Sequence, residues 1–526
     1  MVLEISYLKK KYPVLRKVFS KIIPFGSLIL LLLVIITWIL WVFYPHSWAF
    51  FVLSFIIIIF YIWWLIRWFE YVILLLAWLF RYKSFQKLNL DNIFLQKPAS
   101  KLEAYYVEKI KKSNFKKNDI FHWVIIPTYQ DPLEMILDSI NSIKNTTFDN
   151  KKIIITLAWE KRDQENFYKI KEKVSSIFKD DFLDLNFTLH EEKPWELVWK
   201  WANVSFAAKS KYKEVLSKVW LNSENKILVS VLDSESILQD RYFDVLTLEY
   251  LITSPDMQDK TIYQPMLFLT NRFFSAPYFS QIIALSVWFY ILWASLKWIW
   301  ARAQAVQAQS LKSLIQTDFY SVETITEDGH QYYRTYCTFN WKFQVKPFYA
   351  YVLLEPVIWK TFFESLKLQY NQIKRWAHGC LDFPYIVLCF LDKFKKLPKL
   401  RTLYEIFWLL EASVLRSSLQ FILFFWGIFL AIIGEWYSNL FLIFNVLAIL
   451  ILSIILIISL FFLPWYQIES KRRKIYEMVK YSILSFTLMW PLLLVLNWLP
   501  ALHAQILILF WKPMWKFNVT KKYRDL

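Results

Sequence analysis

Three long stretches without a charged residue constrain this 526-residue chain more than any other feature. They cover residues 22–66, 440–466 and 481–511, and contain no Asp, Glu, Lys or Arg. Each is long enough to cross a bilayer at about 20 residues per helix. Pro45-His46-Ser47 divides the first stretch into predicted spans at about 24–44 and 48–66. The run is too long for a cleaved signal peptide, so the sequence predicts an integral membrane protein.

Basic residues flank the apolar stretches and predict the topology. Lys9-Lys10-Lys11 and Lys471-Arg472-Arg473-Lys474 place the N-terminus and the last loop in the cytoplasm. We therefore expect a multi-pass protein of the plasma membrane with one cytoplasmic domain. Residues 1–81 are predicted to form a membrane region with two spans, and residues 82–400 a cytoplasmic domain. Residues 401–526 are predicted to form a second membrane region with three or four spans and a basic tail.

The net charge of +19 favours attraction to anionic lipids. No RNA- or DNA-binding motif accompanies the charge, so we expect no nucleic-acid partner. Cys337, Cys380 and Cys389 have no paired spacing. This pattern predicts reduced thiols and excludes a disulfide framework or a zinc site.

Glycine is scarce in the chain, while tryptophan is abundant. Gly numbers 5 and Trp numbers 28, whereas average usage predicts roughly 37 glycines at this length. Turns need glycine because it visits positive φ freely. We infer that many tryptophans stand where the organism places glycine, as when a bacterial gene that reads UGA as glycine is translated with a table that reads UGA as tryptophan. The alternative is a protein rich in tryptophan at the membrane interfaces.

The segment EKPWELVWKWAN, residues 192–203, shows the consequence of this inference. Trp195, Trp199 and Trp201 follow neither a helix nor a strand period, and Pro, Lys and Asn predict a loop here. With glycine at the three positions the segment reads EKPGELVGKGAN, a turn-rich loop whose backbone can approach a phosphate. Membrane interfaces explain Trp41 or Trp68, but not Trp159, Trp195, Trp199 and Trp201 in the soluble domain.

Strand-like and helix-like patterns alternate in the cytoplasmic domain. Val124-Ile125-Ile126 predicts a buried strand that breaks at Pro127, and residues 133–143 have a helical apolar period. Further strands are predicted at 151–160 and 226–236. This alternation predicts an α/β domain with a mostly parallel sheet and helices on both faces. Such sheets bind ligands at the carboxyl ends of their strands. The residues predicted at these ends are Pro127, Thr128, Glu160 and the run Asp233-Ser234-Glu235.

Five short signatures follow one another over about 250 residues. They are IIPTY at 125–129, the loop at 194–203, DSE at 233–235, TED at 326–328 and QIKRW at 372–376. This ordered set resembles the family 2 inverting glycosyltransferases, in the membrane-embedded branch that includes cellulose and hyaluronan synthases. The resemblance implies a catalytic domain of the GT-A fold flanked by transmembrane α-helices. It also implies a nucleotide-sugar donor, with a UDP-sugar expected, and a glycan or lipid-linked acceptor.

The resemblance implies a divalent cation, Mg²⁺ or Mn²⁺, at the DSE signature. Asp233 and Glu235 resemble the family's Asp-x-Asp, although the third position is Glu in this chain. Carboxylate and phosphate oxygens are the ligands that these cations prefer. The alternative is a solvated strand end.

Asp328 of the TED signature resembles the family's general base. Inversion needs one base that takes the proton of the acceptor hydroxyl while this oxygen attacks the anomeric carbon. Glu327 is expected to position Asp328 or the acceptor. A Thr-Glu-Asp run is also typical of a helix N-terminus.

The remaining signatures imply binding roles. Gln372, Arg375 and Trp376 resemble the family's acceptor and diphosphate motif, in which Arg pairs with phosphate and Trp offers a flat face to a sugar. The residues expected at the nucleotide sugar are Pro127, Thr128, Glu160, Lys200, Asn203 and Asp233. FNVTKK, at 517–522, resembles the FxVTxK gating loop of cellulose synthases, which implies gating by Thr520 and Lys522. An ordinary basic tail is the alternative for this segment.

One apolar segment conflicts with a simple topology. Residues 279–300 are apolar enough to span a membrane, yet one crossing there would separate Asp233 from Asp328. We therefore expect this segment, and 402–416, to form amphipathic helices in the membrane interface.

Two functions of other classes are weaker alternatives. A non-catalytic membrane scaffold or binding module with the same fold is disfavoured because the acidic positions are retained. A transporter is disfavoured because the predicted spans hold few of the intramembrane charges that carriers use.

Overall fold

A computed structural model describes residues 3–44, 47–193, 196, 200–219, 224–296, 301–433, 443, 446 and 467–510, and the structural statements refer to these. A mixed eight-stranded sheet lies at the centre of the domain. Its strands are β1 Phe121–Thr128, β2 Ile153–Glu160, β3 Asp184–His190, β4 Ile227–Val231, β5 Ile237–Leu238, β6 Thr261–Phe268, β7 Gln307–Ser310 and β8 Gln344–Leu353. The helices before β4 are α1 Ile5–Lys11, α2 Pro13–Phe43, α3 Trp48–Gln86, α4 Leu90–Phe94, α5 Lys101–Lys111, α6 Leu133–Lys144, α7 Gln164–Phe178 and α8 Lys200–Lys218. Those after β4 are α9 Tyr242–Leu251, α10 Pro255–Gln258, α11 Tyr278–Leu296, α12 Leu311–Gln316, α13 Glu327–Thr338, α14 Phe362–Trp376, α15 Asp382–Asp392, α16 Lys399–Ile433, α17 Lys471–Leu493 and α18 Leu499–Leu509.

The sheet is parallel in one half and mixed in the other. Its order is β3-β2-β1-β4-β7-β6-β8-β5. Strands β1 to β4 pair in parallel, as the strand–helix–strand pattern predicted. Strand β7 is antiparallel to both of its neighbours, and β5 is antiparallel to β8. The prediction of a mostly parallel sheet therefore describes only the first half, because β7 is a short polar run, QAQS, without a strand-like apolar pattern.

Alternate residues of β1 enter two separate cores. Val124 and Ile126 pack with α6 and α9 on one face, while Trp123 and Ile125 pack with α8 on the other. Both faces of the strand are thus covered, which is typical of a parallel sheet between helices.

Strand β1 does not break at Pro127, contrary to the sequence prediction. Pro127 pairs with Ala158 of β2, and the strand ends at Thr128. The register with β4 ends earlier, at Ile125 and Val231. Because Pro127 lies beyond the pairing with β4, its missing N–H removes no hydrogen bond on that side.

Two N-terminal helices are long and apolar enough to cross a membrane. They are α2 and α3, and this judgement rests on length and composition alone, which is weak evidence. Helix α3 continues about 20 residues beyond the predicted end at 66. Gln86 near its end donates a hydrogen bond to the carbonyl of Tyr349 in β8, at 3.0 Å. The second predicted span therefore belongs to a helix that reaches the sheet.

The predicted C-terminal membrane region is described only in part. The predicted span at 440–466 lies almost wholly outside the described residues. The stretch 481–511 contains the end of α17, a π-helical turn and α18. The prediction of three or four spans in this region stays a prediction.

The two segments expected in the membrane interface are helical, and their placement in the interface stays a prediction. Helix α11 is buried around most of its circumference and packs against β6, α3 and α17. It is apolar on all sides and not amphipathic, and a helix of this kind is typically buried. Segment 402–416 is part of the single long helix α16.

A tight turn between α13 and β8 has left-handed backbone. Asn340 has φ 50° and Trp341 has φ 71°, and the N–H of Lys342 donates to the carbonyl of Phe339 at 3.2 Å. Positive φ at both central residues defines a type I′ turn, in which Asn-Gly is the preferred pair. The backbone at Trp341 is therefore one that glycine adopts without strain.

The three cysteines, Cys337, Cys380 and Cys389, are free and buried.

Candidate active site

One cavity of about 690 Å³ lies at the carboxyl ends of β1, β2 and β4. Small-molecule sites commonly have about 300–1,000 Å³. Residues from all the signatures that the structure describes line this cavity. They are Pro127, Thr128, Glu160, Lys200, Asp233, Glu235, Asp328, Gln372, Arg375 and Trp376.

The ends of β1 and β2 supply a carboxylate and a neighbouring cation. Glu160 is buried, and burial raises the pKa of its carboxyl group, while Arg162 opposes this rise. Arg162 Nε lies 2.6 Å from Glu160 Oε2. The Arg162 guanidinium also lies 3.8 Å from the ring centroid of Tyr129. Sequence reasoning missed Arg162, although a basic residue two positions after a strand-end Glu was a usable signal.

The turn after β4 presents Asp233 to the cavity. The N–H of Ser236 donates to the carbonyl of Asp233 at 2.9 Å, which closes the DSES turn. The carboxylate of Asp233 forms an ion pair with Lys200, the first residue of α8. Glu235 in the same turn is 8% exposed. The loop signature and the DSE signature thus meet in one ion pair.

The donor set fits a metal ion that binds together with a diphosphate. Among the described residues there is no group of three or more His, Cys, Asp or Glu side chains able to hold a metal. Asp233 and Glu235 supply two carboxylates. Mg²⁺ is usually held by one or two carboxylates plus waters and substrate phosphates. These two residues are therefore sufficient only when the substrate completes the coordination.

Asp328 is the second residue of α13, so both interpretations of the TED run apply to it. Helix α13 begins at Glu327, and Thr326 occupies the N-cap position. Asp328 Oδ1 is buried and accepts no hydrogen bond from any described residue. Burial raises the pKa of Asp328 to about 6, Lys200 and Arg375 lower it, and Asp233 raises it. Its carboxylate is thus close to charges from three other signatures.

Helix α14 turns one face of the QIKRW signature toward the cavity. Arg375 and Trp376 follow Gln372 by three and four residues and therefore lie next to it on the helix surface, and all three line the cavity. Gln372 Oε1 accepts a hydrogen bond from Gln369 Nε2 at 3.0 Å. Trp376 is partly buried against Ile373 and its neighbours.

Two residues of the loop signature, Asn203 and Trp201, are buried and are not among the residues that line the cavity. The Nδ2 of Asn203 donates to the carbonyl of Ala158 in β2 at 2.6 Å. This bond secures α8 to the sheet, and a contact of Asn203 with the nucleotide stays a prediction. Trp201 is 1% exposed, packs against Tyr320, and its Nε1 has no hydrogen-bond partner among the described residues.

The remaining predicted site residues cannot be placed in the cavity. Trp195, Trp199, Thr520 and Lys522 lie outside the described residues. Glu327 is the first residue of α13, and its neighbours in the TED run, Thr326 and Asp328, line the cavity.

No protein-family model and no curated protein sequence matches the chain. Among solved structures, it is similar to the mannosyltransferase PcManGT from Pyrobaculum calidifontis in complex with GDP-Man and Mn²⁺. The identity is 13% and the TM-score is 0.41, over 81% of this chain and 100% of that chain. It is also similar to S. aureus TarS in complex with UDP-GlcNAc, at 11% identity and a TM-score of 0.28, over 52% of this chain and 73% of that chain. Because these scores are below 0.5, the function proposed below rests on the residues of the cavity.

Proposed function

We propose that the chain is a membrane-bound glycosyltransferase that transfers a sugar, with inversion, from a nucleotide sugar to a polysaccharide or lipid-linked acceptor. The observation that carries the proposal is the meeting of four signatures in one cavity. Asp328, Asp233, Lys200 and Arg375 come from four separate segments and act on one another electrostatically. A carboxylate with a pKa near neutrality beside two cations is suited to accept a proton near a diphosphate.

The proposed reaction gives each group one task. The acceptor hydroxyl oxygen attacks the anomeric carbon, its proton goes to Asp328, and the bond from that carbon to the diphosphate oxygen breaks. Negative charge then develops on the departing nucleoside diphosphate. Lys200 and Arg375 stabilise this charge, since cations near a developing anion lower the barrier. A divalent cation held at Asp233 and Glu235 would neutralise the diphosphate further.

The carboxylate of Asp233 would change its partner when the donor binds. Lys200 neutralises Asp233 in this structure. A metal ion at Asp233 would displace the Lys200 ammonium group, which then becomes available for a diphosphate oxygen. Donor and metal would therefore bind together.

The test is release of nucleoside diphosphate from a panel of nucleotide sugars by the purified full-length chain in membranes. The rate of release is measured for two backgrounds of the chain, one with the sequence as written and one with glycine at positions 195, 199 and 201. Asp328→Asn should reduce turnover by about 10²–10⁴ while donor binding persists. Asp256→Asn is the matched control, because Asp256 is exposed on α10 and away from the cavity. Equal turnover by Asp328→Asn and Asp256→Asn would reject the assignment of Asp328 as the general base.

A further inference from the structure

Several charged residues outside the signatures also line the cavity, and Arg416 is one of them. Arg416 of α16 lines the cavity from the side formed by the long helices. Its guanidinium carbon lies 6.0 Å from the ring centroid of Tyr290 in α11. Among the described residues, no carboxylate lies within ion-pair distance of Arg416.

The two acidic residues of the same helix are already engaged by other arginines. Glu411 receives hydrogen bonds from Arg67 Nε and Nη2, both at 2.7 Å. Glu405 is fully buried and pairs with Arg302 and with the hydroxyl of Tyr332. Helix α16 therefore compensates two arginines of other segments and leaves its own Arg416 without an acidic partner.

The surroundings of Arg416 are mostly apolar. The part of the cavity wall that α11 and α16 form is mostly apolar and includes Leu285, Phe289, Tyr290, Leu409, Ala412 and Leu415, together with the polar Ser286, Glu411 and Ser413. Arg416 is half-buried, and a charged group that lies against apolar side chains is stabilised when an anion pairs with it. The fork of an arginine pairs best with a planar or tetrahedral oxyanion, in a bidentate manner.

Arg416 is also connected to the proposed reaction centre. A short 3₁₀ segment, Ala377–Leu381, follows the QIKRW signature directly. A Cβ atom on its Gly379 would lie 3.7 Å from Oγ1 of Thr326, the first residue of the TED run. Burial raises the pKa of the adjacent Cys380 to about 12, and Arg416 opposes part of that rise. The segment Ala377–Leu381 thus lies between Arg416 and the N-terminus of α13, which carries Asp328.

We propose that Arg416 binds the oxyanion head group of an amphiphilic acceptor whose apolar chain lies along α11 and α16. This inference rests on the proposed function, because it assigns the acceptor to the lipid-linked class. The apolar wall fits a hydrocarbon chain, and Arg416 fits a lipid phosphate between that chain and the sugar-accepting end.

The experiment measures binding and does not require sugar transfer. Radiolabelled farnesyl phosphate is bound to the purified full-length protein in an uncharged detergent, and unlabelled farnesol and inorganic phosphate compete. Farnesyl phosphate should bind at least about tenfold more tightly than either competitor, which corresponds to about 1.4 kcal/mol. Arg416→Gln should lower its affinity to that of farnesol, and Arg416→Lys should restore part of the difference.

Controls separate this inference from a general loss of charge and from the function itself. Arg472→Gln removes a cation from an exposed position of α17 and should leave the preference for farnesyl phosphate intact. An unchanged thermal unfolding midpoint shows that Arg416→Gln is folded. Asp328→Asn should lose turnover and retain binding, so a failure of the proposed reaction leaves the binding result readable.

Three results would overturn the inference. Farnesol and farnesyl phosphate binding with equal affinity would show that Arg416 recognises no anion. Retention of the preference in Arg416→Gln would place the anion elsewhere. Inorganic phosphate competing as well as farnesyl phosphate would show an anion site to which the apolar wall contributes nothing.

Discussion

The pKa of Asp328 leads to a pH dependence that an ordinary aspartate would not give. Burial raises this pKa from 3.8 to about 6, which corresponds to about 3 kcal/mol in favour of the protonated form. A general base works only when it is deprotonated, so kcat/KM should fall as the pH falls through about 6. At pH 5 only about a tenth of the molecules would carry the active carboxylate, whereas an aspartate with pKa 3.8 would still be about nine-tenths ionised.

The charges around Asp328 predict the direction in which the acid limb of the pH profile moves when one of them is removed. Lys200 lowers the pKa of Asp328, so Lys200→Gln should move the acid limb of the profile to higher pH. Lys200→Arg retains the positive charge and should leave the limb near its original position. The shift is a qualitative signature of the pair, because a purely structural role for Lys200 would change the rate without moving the limb.

The assay is the initial rate of nucleoside diphosphate release from pH 4.5 to 8.5, at donor concentrations well below KM. Under these conditions the profile reports groups of the free enzyme. A flat profile between pH 5 and 8 would refute the assignment of the buried carboxylate. An identical acid limb in the residual activity of Asp328→Asn would also refute it.

Three further predictions concern the metal and the tryptophans. EDTA should abolish activity, and added Mg²⁺ or Mn²⁺ should restore it; full activity in excess EDTA would reject the assignment of a metal site. Asp233→Ala should weaken donor binding, and Glu235→Asp should be tolerated better than Glu235→Ala. Mass spectrometry of the native protein should find glycine at 195, 199 and 201, and tryptophan at all three would contradict the recoding. Trp341→Gly should raise the free energy of unfolding by about 1 kcal/mol, since a left-handed conformation costs a non-glycine residue about 1–2 kcal/mol; a lower thermal midpoint would count against glycine there.

The first half of the sheet was predictable because its strands are apolar runs that alternate with amphipathic helices. Strands β1, β2 and β4 follow this pattern, and both of their faces are buried. The second half was not predictable from such patterns. Strand β7 has the sequence QAQS, and its place between β4 and β6 depends on tertiary pairing.

Residues of the site that belong to a short signature could be predicted from the sequence. A residue of the site that lies on a long helix outside the signatures could not. Asp233, Asp328 and Arg375 were identified from motifs, and the structure brings them to one cavity. Arg416 occupies an ordinary position in a 35-residue helix, and the sequence does not show that both acids of that helix are engaged elsewhere. The bond from Asn203 to the carbonyl of Ala158 in β2 was not evident from the signature loop, because it depends on how α8 packs on the sheet.

Local geometry divides the tryptophans in a way that composition cannot. Trp123 and Trp159 donate hydrogen bonds to Thr156 and Asp163, as buried indoles usually do. Trp201 is equally buried, and its Nε1 has no partner among the described residues. Trp341 has the backbone of the second position of a type I′ turn. An indole with a satisfied N–H and ordinary φ is consistent with a genuine tryptophan, whereas an orphaned N–H or a left-handed φ is what misreading a glycine codon would produce. The coding sequence should therefore have UGA at 201 and 341 and UGG at 123 and 159.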